Sequence, residues 1–145
     1  MDLIYTWAEL KRVQDRIAEI ERMTDEITEE RQKMGGDLDY KRATYNELWD
    51  TRDRLETKRD MMRKQVIPEV GMPCTVRWYS DSSGAHVEKV ISPKKIQVKC
   101  DGIYSCTKIF TYRKNGRWVE AGSTTRDWST LLFLGYRHDY YDKSF

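Results

Sequence analysis

The hydrophobic pattern of this chain changes period at Pro68, and that change constrains its architecture more than any other feature. Upstream, apolar residues recur three and four apart: Leu10, Val13, Ile17, Ile20, Ile27 and Met34 in one run, then Leu38, Tyr45, Leu48, Leu55, Met62 and Val66 in another. This is the spacing of a helix face. From Val70 onward the pattern has period two, as in strands with one buried face. Proline disfavours helical geometry in the residue before it, so Pro68 ends the second helix. The expected fold class is α+β, with a long antiparallel helical hairpin over residues 1–67. A small antiparallel β-sheet or partly open barrel follows over residues 68–145.

Thr6-Trp7-Ala8-Glu9 has the form of a capping box at the start of the first helix. Gly35-Gly36 breaks the helical run, and Asp37 or Asp39 is placed to cap the second helix. Folding the chain back there sets Leu10 opposite Met62, Ile17 opposite Leu55, Thr24 opposite Leu48 and Ile27 opposite Tyr45. The same register sets Arg59 opposite Val13 and Arg52 opposite Ile20. At the edge of a narrow seam their stems pack and their charged heads snorkel; contact with a ligand or a partner subunit is the alternative. Trp7, Met23, Trp49 and Met61 lie off the seam and require cover from the β-region or from a second copy. Helical arms gain most of their stability from tertiary packing, so the expectation is self-association.

In the second half the alternation predicts strands at 74–80, 86–91, 96–101, 106–113, 117–120 and 131–134. The segment Asp81, Ser82, Ser83 and Gly84 reads as a turn, as do Ser92-Pro93-Lys94-Lys95, Asp101-Gly102 and Lys114-Asn115-Gly116, with a longer loop over 121–129. Asn-Gly between alternating runs is a strong hairpin signal.

Composition narrows the function. Residues 1–67 carry 14 Lys/Arg against 16 Asp/Glu, and residues 68–145 carry 12 against 8. An excess of that size suits a local pocket for two or three phosphates, not tight binding to long nucleic acid. Cys74, Cys100 and Cys106 form neither a CxxC nor a His-paired metal pattern, and an odd count without a signal peptide predicts reduced, buried thiols in a cytosol. The apolar runs fall short of the roughly 20 residues of a membrane span. No metal or cofactor is expected.

Catalysis is not indicated. His86 and His138 sit in different elements outside any recognisable nucleophile or metal motif. The helical carboxylates, such as Glu26 and Glu30, follow solvated faces, and Gly35-Gly36 follows no strand, unlike a phosphate-cradling loop. Binding without turnover is the expectation.

The aromatic residues Trp78, Tyr79, Phe110, Tyr112, Trp118, Tyr136, Tyr140 and Tyr141 lie among cations. Such a mixture suits a planar anionic ligand, stacked on a ring and held by guanidinium groups. Alternation sends about half of these rings into a core. Phe110 and Tyr112 share one face, and Trp118 pairs with them across the hairpin; core packing and ligand stacking are both open for them. Arg137 stands after Leu134-Gly135 and between Tyr136 and Tyr140-Tyr141. An aromatic ending at Phe145 is expected to dock against the fold.

The hairpin Phe110-Thr111-Tyr112-Arg113-Lys114-Asn115-Gly116-Arg117-Trp118-Val119-Glu120, the Trp78-Tyr79-Ser80-Asp81 segment and the ending Leu134-Gly135-Tyr136-Arg137 through Tyr140-Tyr141-Asp142 and Ser144-Phe145 resemble a family of phage C-terminal β-domains. With two antiparallel helices in front, the layout is similar to the first type of Thoeris anti-defence protein. The resemblance implies a phage-encoded sponge, acting in the cytoplasm of the infected bacterial host. It would sequester cyclic ADP-ribose signals made by TIR enzymes, without degrading them. It also implies dimers assembling into a hexamer, and in some members a second site for cyclic di- or trinucleotides. Carried onto this chain, it marks Phe110 and Arg137 as ligand-binding residues, with Asn115, Arg113 and Tyr140 as further candidates. Arg126 and Trp128 lie in the loop where correspondence is weakest. The rival reading is an SH3-like or Tudor-like module, acting as an anti-restriction or anti-CRISPR inhibitor through a protein or nucleic-acid target. A phage assembly protein and a hydrolase of the same signal rank below it.

Overall fold

The computed structural model describes residues 2–35, 41–78, 81–101, 106–123 and 130–140. Two helices, α1 (Trp7–Lys33) and α2 (Arg42–Lys64), precede six strands: β1 (Pro73–Trp78), β2 (Asp81–Ser92), β3 (Lys95–Cys100), β4 (Thr107–Tyr112), β5 (Trp118–Glu120) and β6 (Leu131–Leu134). The α+β organisation expected from the change of period is observed.

Thr6 caps α1: its hydroxyl oxygen accepts from the Glu9 amide at 3.1 Å and donates to the Glu9 carboxylate at 3.2 Å. Gly35, at φ 74°, takes a left-handed conformation that ends the helical run. Gly36, Asp37, Leu38 and Asp39 lie outside the described residues. Lys41 pairs with Glu30 across the turn, and Arg52 pairs with Glu21 at 3.0 Å, which fixes the antiparallel register. At the open end, the Ile4 and Tyr5 amides donate to the Gln65 carbonyl and the Ile67 amide donates to that of Tyr5. The arginines at the seam edge are satisfied within the arm. Arg52 also meets Glu56 and lies 4.7 Å from the Trp49 ring centroid, and Arg59 meets Asp60 at 3.1 Å.

The six strands form an antiparallel meander closed into a barrel, β1 pairing with β6 through Cys74–Leu134, Thr75–Phe133, Val76–Leu132 and Arg77–Leu131. Closure gives every strand two neighbours and removes the exposed edges that a sheet would leave. Two register shifts in β2, between Val87 and Lys89 and between Val90 and Ser92, act as bulges that bend this long strand around the barrel.

One expected turn is corrected. Ser82, Ser83 and Gly84 belong to β2, where they pair with Arg77, Val76 and Thr75 of β1. These small polar residues read as a loop because such residues favour turns. Their actual role is close packing: Ser83 and Gly84 are buried, and a Cβ on Gly84 would stand 2.9 Å from Arg137 Nε.

The arm plugs one end of the barrel. Leu10, Met62, Val66 and Met72 form one buried cluster with Val76, Val87, Ile96, Val98, Phe110 and Leu134. The core therefore runs across the expected boundary between residues 67 and 68. Gly135, at φ 94°, permits this junction, since a Cβ there would fall 2.5 Å from Leu10 Cδ2.

Candidate functional site

A cleft of about 770 Å³ opens where the end of α2 meets the barrel wall. Its volume is within the range of small-molecule sites. The last turns of α2 supply Asp60, Arg63 and Lys64; β1 supplies Arg77; the β4–β5 turn supplies Asn115, Gly116 and Arg117. Trp118 of β5, Leu131, Leu132, Phe133 and Leu134 of β6, and Tyr136 complete the lining. Four cationic side chains thus face one carboxylate. That carboxylate, Asp60, is already paired with Arg59.

Arg63 is held on two sides. Its Nε donates to Gln14 Oε1 at 2.9 Å, and its guanidinium carbon lies 3.9 Å from the centroid of Tyr136. Partial burial, and then the neighbouring charge of Arg59, lower its pKa from the ordinary value. Gln14 also donates to the Gly135 carbonyl at 3.1 Å, so one amide links α1, the Arg63 head and the end of β6. Tyr136 is held in turn by Thr75, whose hydroxyl donates to the Tyr136 carbonyl at 2.8 Å. The cation and the ring are therefore anchored through main-chain and side-chain bonds before any ligand arrives.

The aromatic wall is built differently. Tyr112 and Trp118 pack at 5.1 Å between centroids, and the Tyr112 hydroxyl donates to the Lys64 carbonyl at 2.8 Å. That bond satisfies one of the unpaired carbonyls at the end of α2. Trp118 Nε1 is buried and has no hydrogen-bond partner among the described residues. An orphaned buried donor costs about 1–3 kcal/mol.

The residues marked from sequence are not gathered in this cleft. Phe110 is 0% exposed and belongs to the barrel core, paired between Ile96 and Glu120. It presents no open face to a ligand within this chain. Asn115 does line the cleft, and its Oδ1 accepts from the Arg117 amide at 3.1 Å, a turn-stabilising role. Arg113 braces the hairpin: it donates to Thr111 Oγ1 at 2.7 Å and to the Ser123 carbonyl at 2.8 Å.

Arg137 and Tyr140 lie at the Gly84 end of β2. Arg137 stands 3.6 Å from Asp101, which holds His86 Nδ1 at 2.9 Å; Tyr140 is exposed and exchanges two main-chain bonds with Ser82. Tyr79, Arg126, Trp128, Tyr141, Asp142, Ser144 and Phe145 lie outside the described residues.

Arg63, Lys64, Arg77 and Arg117 were not singled out from sequence. Outward alternation at Arg77, and the position of Arg117 just after Asn-Gly, were the available signals. Nothing in the helical periodicity distinguishes Arg63 and Lys64 from the other cations of α2. Among the described residues, no group of three or more His, Cys, Asp or Glu is placed to hold a metal. No helix among them is long and apolar enough to cross a membrane.

A closed six-stranded barrel, plugged by a helical hairpin and carrying a basic, aromatic-walled cleft, defines the class of molecule. Comparison with protein-family models, curated proteins and solved structures finds no match.

Proposed function

We propose that this protein is a non-catalytic binder of a compact nucleotide signal of the cyclic ADP-ribose type, and that it acts as a phage anti-defence sponge. The observation that carries the reading is the cleft in which Arg63, Lys64, Arg77 and Arg117 converge beside Tyr136 and Trp118. A cyclic ADP-ribose isomer offers an adenine to stack, ribose hydroxyls to bond and a pyrophosphate to neutralise. Stacking contributes about 1–3 kcal/mol per base, and each charge-assisted bond about 1.5–3 kcal/mol. One ring and two or three cations therefore reach much of the ~12 kcal/mol of nanomolar affinity. Binding without turnover suits the placement of His86, engaged with Asp101 away from the cleft.

In this reading the protein self-associates through the arm, as dimers within a hexamer, and the host cytoplasm is its place of action. The sequence resemblance supports both statements, and the exposed Trp49 and Met61 on α2 support the first.

The test is incubation with mixed cyclic ADP-ribose isomers and cyclic di- and trinucleotides, followed by heating and mass analysis of the released material. Intact ligand is expected; a cleaved product would indicate an enzyme. Arg63→Ala should weaken binding by about 2–5 kcal/mol, as for truncating one partner of a buried charge pair, and Arg77→Ala, at an exposed position, by about 1.5–3 kcal/mol, as for one charge-assisted bond. If those variants bind normally and Arg137→Ala does not, the ligand sits instead on the Arg137 and Tyr140 side.

The small closed barrel also favours a second reading, a peptide- or nucleic-acid-binding module that inhibits a restriction or CRISPR target. That reading requires retention of a macromolecule, with affinity falling steeply with salt if the target is nucleic acid.

A further inference from the structure

We propose that Cys100 and Cys106 form a dithiol redox site, which low-molecular-weight disulfides of the glutathione type convert to an intramolecular disulfide. The two thiols face each other across the β3–β4 pair, with sulfurs 2.7 Å apart. The Cys100 amide donates to the Cys106 carbonyl at 2.8 Å, and the neighbouring pair is Lys99 with Thr107, so the two cysteines occupy directly opposed positions. Opposed residues in an antiparallel pair have Cα atoms about 4.5–5.5 Å apart, inside the about 4.4–6.8 Å that a disulfide spans. The bridge therefore closes without a shift of the strands. This inference is independent of the proposed ligand.

The two thiols differ in access. Cys100 is buried, and desolvation followed by its contact with Cys106 pushes its pKa up to about 12. Cys106 is half-buried, the more accessible thiol of the two, and is assigned the attack on an incoming disulfide. Its thiolate forms a bond to one sulfur of the oxidant, RSSR; the S–S bond of the oxidant breaks and RS⁻ leaves, taking a proton from solvent. Cys100 then loses its proton to water and attacks the Cys106 sulfur of the mixed disulfide. The Cys100–Cys106 bond forms, and the second RS⁻ leaves and is protonated. Two protein thiols are oxidised and one RSSR is reduced to two RSH, as thiol–disulfide exchange requires.

Cys74 takes no part. It is fully buried, burial raises its pKa, and it is separated from Cys100 by the intervening Ala85 of β2. The bridge would lock the chain on both sides of the β3–β4 connection. One side carries Asp101, which engages His86 and faces Arg137.

The intact chain is equilibrated with glutathione disulfide and glutathione at a series of ratios, quenched in acid, then unfolded and alkylated for mass analysis. The expected product is two hydrogens lighter than the reduced chain, alkylates at Cys74 only, and yields a linked peptide containing Cys100 and Cys106. Cys100→Ser, treated in the same way, should stop as a mixed disulfide carrying one glutathione on Cys106. Dithiothreitol should return the native chain to three alkylatable thiols. Three thiols still alkylated at every ratio, a stable glutathione adduct on the native chain, or a bridge involving Cys74 would each overturn the proposal.

Discussion

The inward positions of β3, Ile96, Val98 and Cys100, are all closed to solvent, whereas along the whole of α2 the one buried residue is Met62. Tyr45, Leu48 and Leu55 of the same helix are only half-buried, and Trp49 and Met61 are 36% and 50% exposed. The difference follows from geometry. A barrel strand has a neighbour on each side and a filled interior beneath it, so alternation alone completes its burial. A helix in a two-helix pair meets one neighbour along one narrow line. Where that pair reaches the barrel, at Leu10, Met62 and Val66, burial is complete again. Along the rest of the arm the cover is one-sided: α1 still buries Ile17, Ile20, Thr24 and Ile27, while the facing side chains of α2 stay half-buried.

The contrast is broken most forcefully inside the barrel. Phe110→Ala should destabilise the chain by about 3–5 kcal/mol, the range for emptying a fully buried aromatic site. Leu48→Ala, on the half-covered seam, should lose much less. Urea unfolding of both variants measures the difference; comparable losses would mean that the arm is as well covered as the barrel.

The junction comes next. Gly135→Ala combines about 1–2 kcal/mol of left-handed backbone strain with about 1–3 kcal/mol of overpacking against Leu10. Leu10→Ala in the same chain should restore part of the overpacking loss and leave the backbone term, a coupling that a double-mutant cycle reads directly. Additive effects would show that the arm does not bear on the barrel at this point.

A smaller effect belongs to the start of α1. Thr6→Ala removes the cap on the Glu9 amide and should cost about 1 kcal/mol, while Thr6→Ser should retain it. Thermal melts check this, with Ser matching or exceeding Thr and Ala below both as the expected outcome.

These particulars show which parts of the molecule were legible in its sequence. The helices, their register and the Asn115-Gly116 hairpin announced themselves through local rules: period, cap and turn chemistry. Gly116 does adopt φ 81°, as such a turn requires. The 81–84 segment misled because Gly84 is needed for the close approach of Arg137, a tertiary demand that imitates a turn signal. Phe110 could be read as core or as stacking surface from alternation, and the structure puts it in the core. The cleft was mostly hidden because it joins residues that are far apart in the chain. Asn115, Trp118 and Tyr136 stood out from their neighbours in sequence; Arg63 and Lys64 matter only because closure of the barrel brings β6 beside the end of α2.

The smallest effect on the isolated chain should come from the exposed side of the arm, and it tests the proposed self-association. Trp49→Ser combined with Met61→Ser removes apolar surface that the barrel does not cover. In a dilute, monomeric sample each change should alter stability by no more than about 0.5 kcal/mol, as surface substitutions do. In a self-associating protein the folded state gains further stability as concentration rises, because assembly draws only on folded chains. The melting temperature of the wild type should therefore climb with concentration, while that of the double variant stays flat and its light-scattering mass falls. Coincident, concentration-independent melts at one unchanged mass would show that this stripe is ordinary exposed surface. The contrast between barrel and arm would then be a property of the single chain, with no partner completing it.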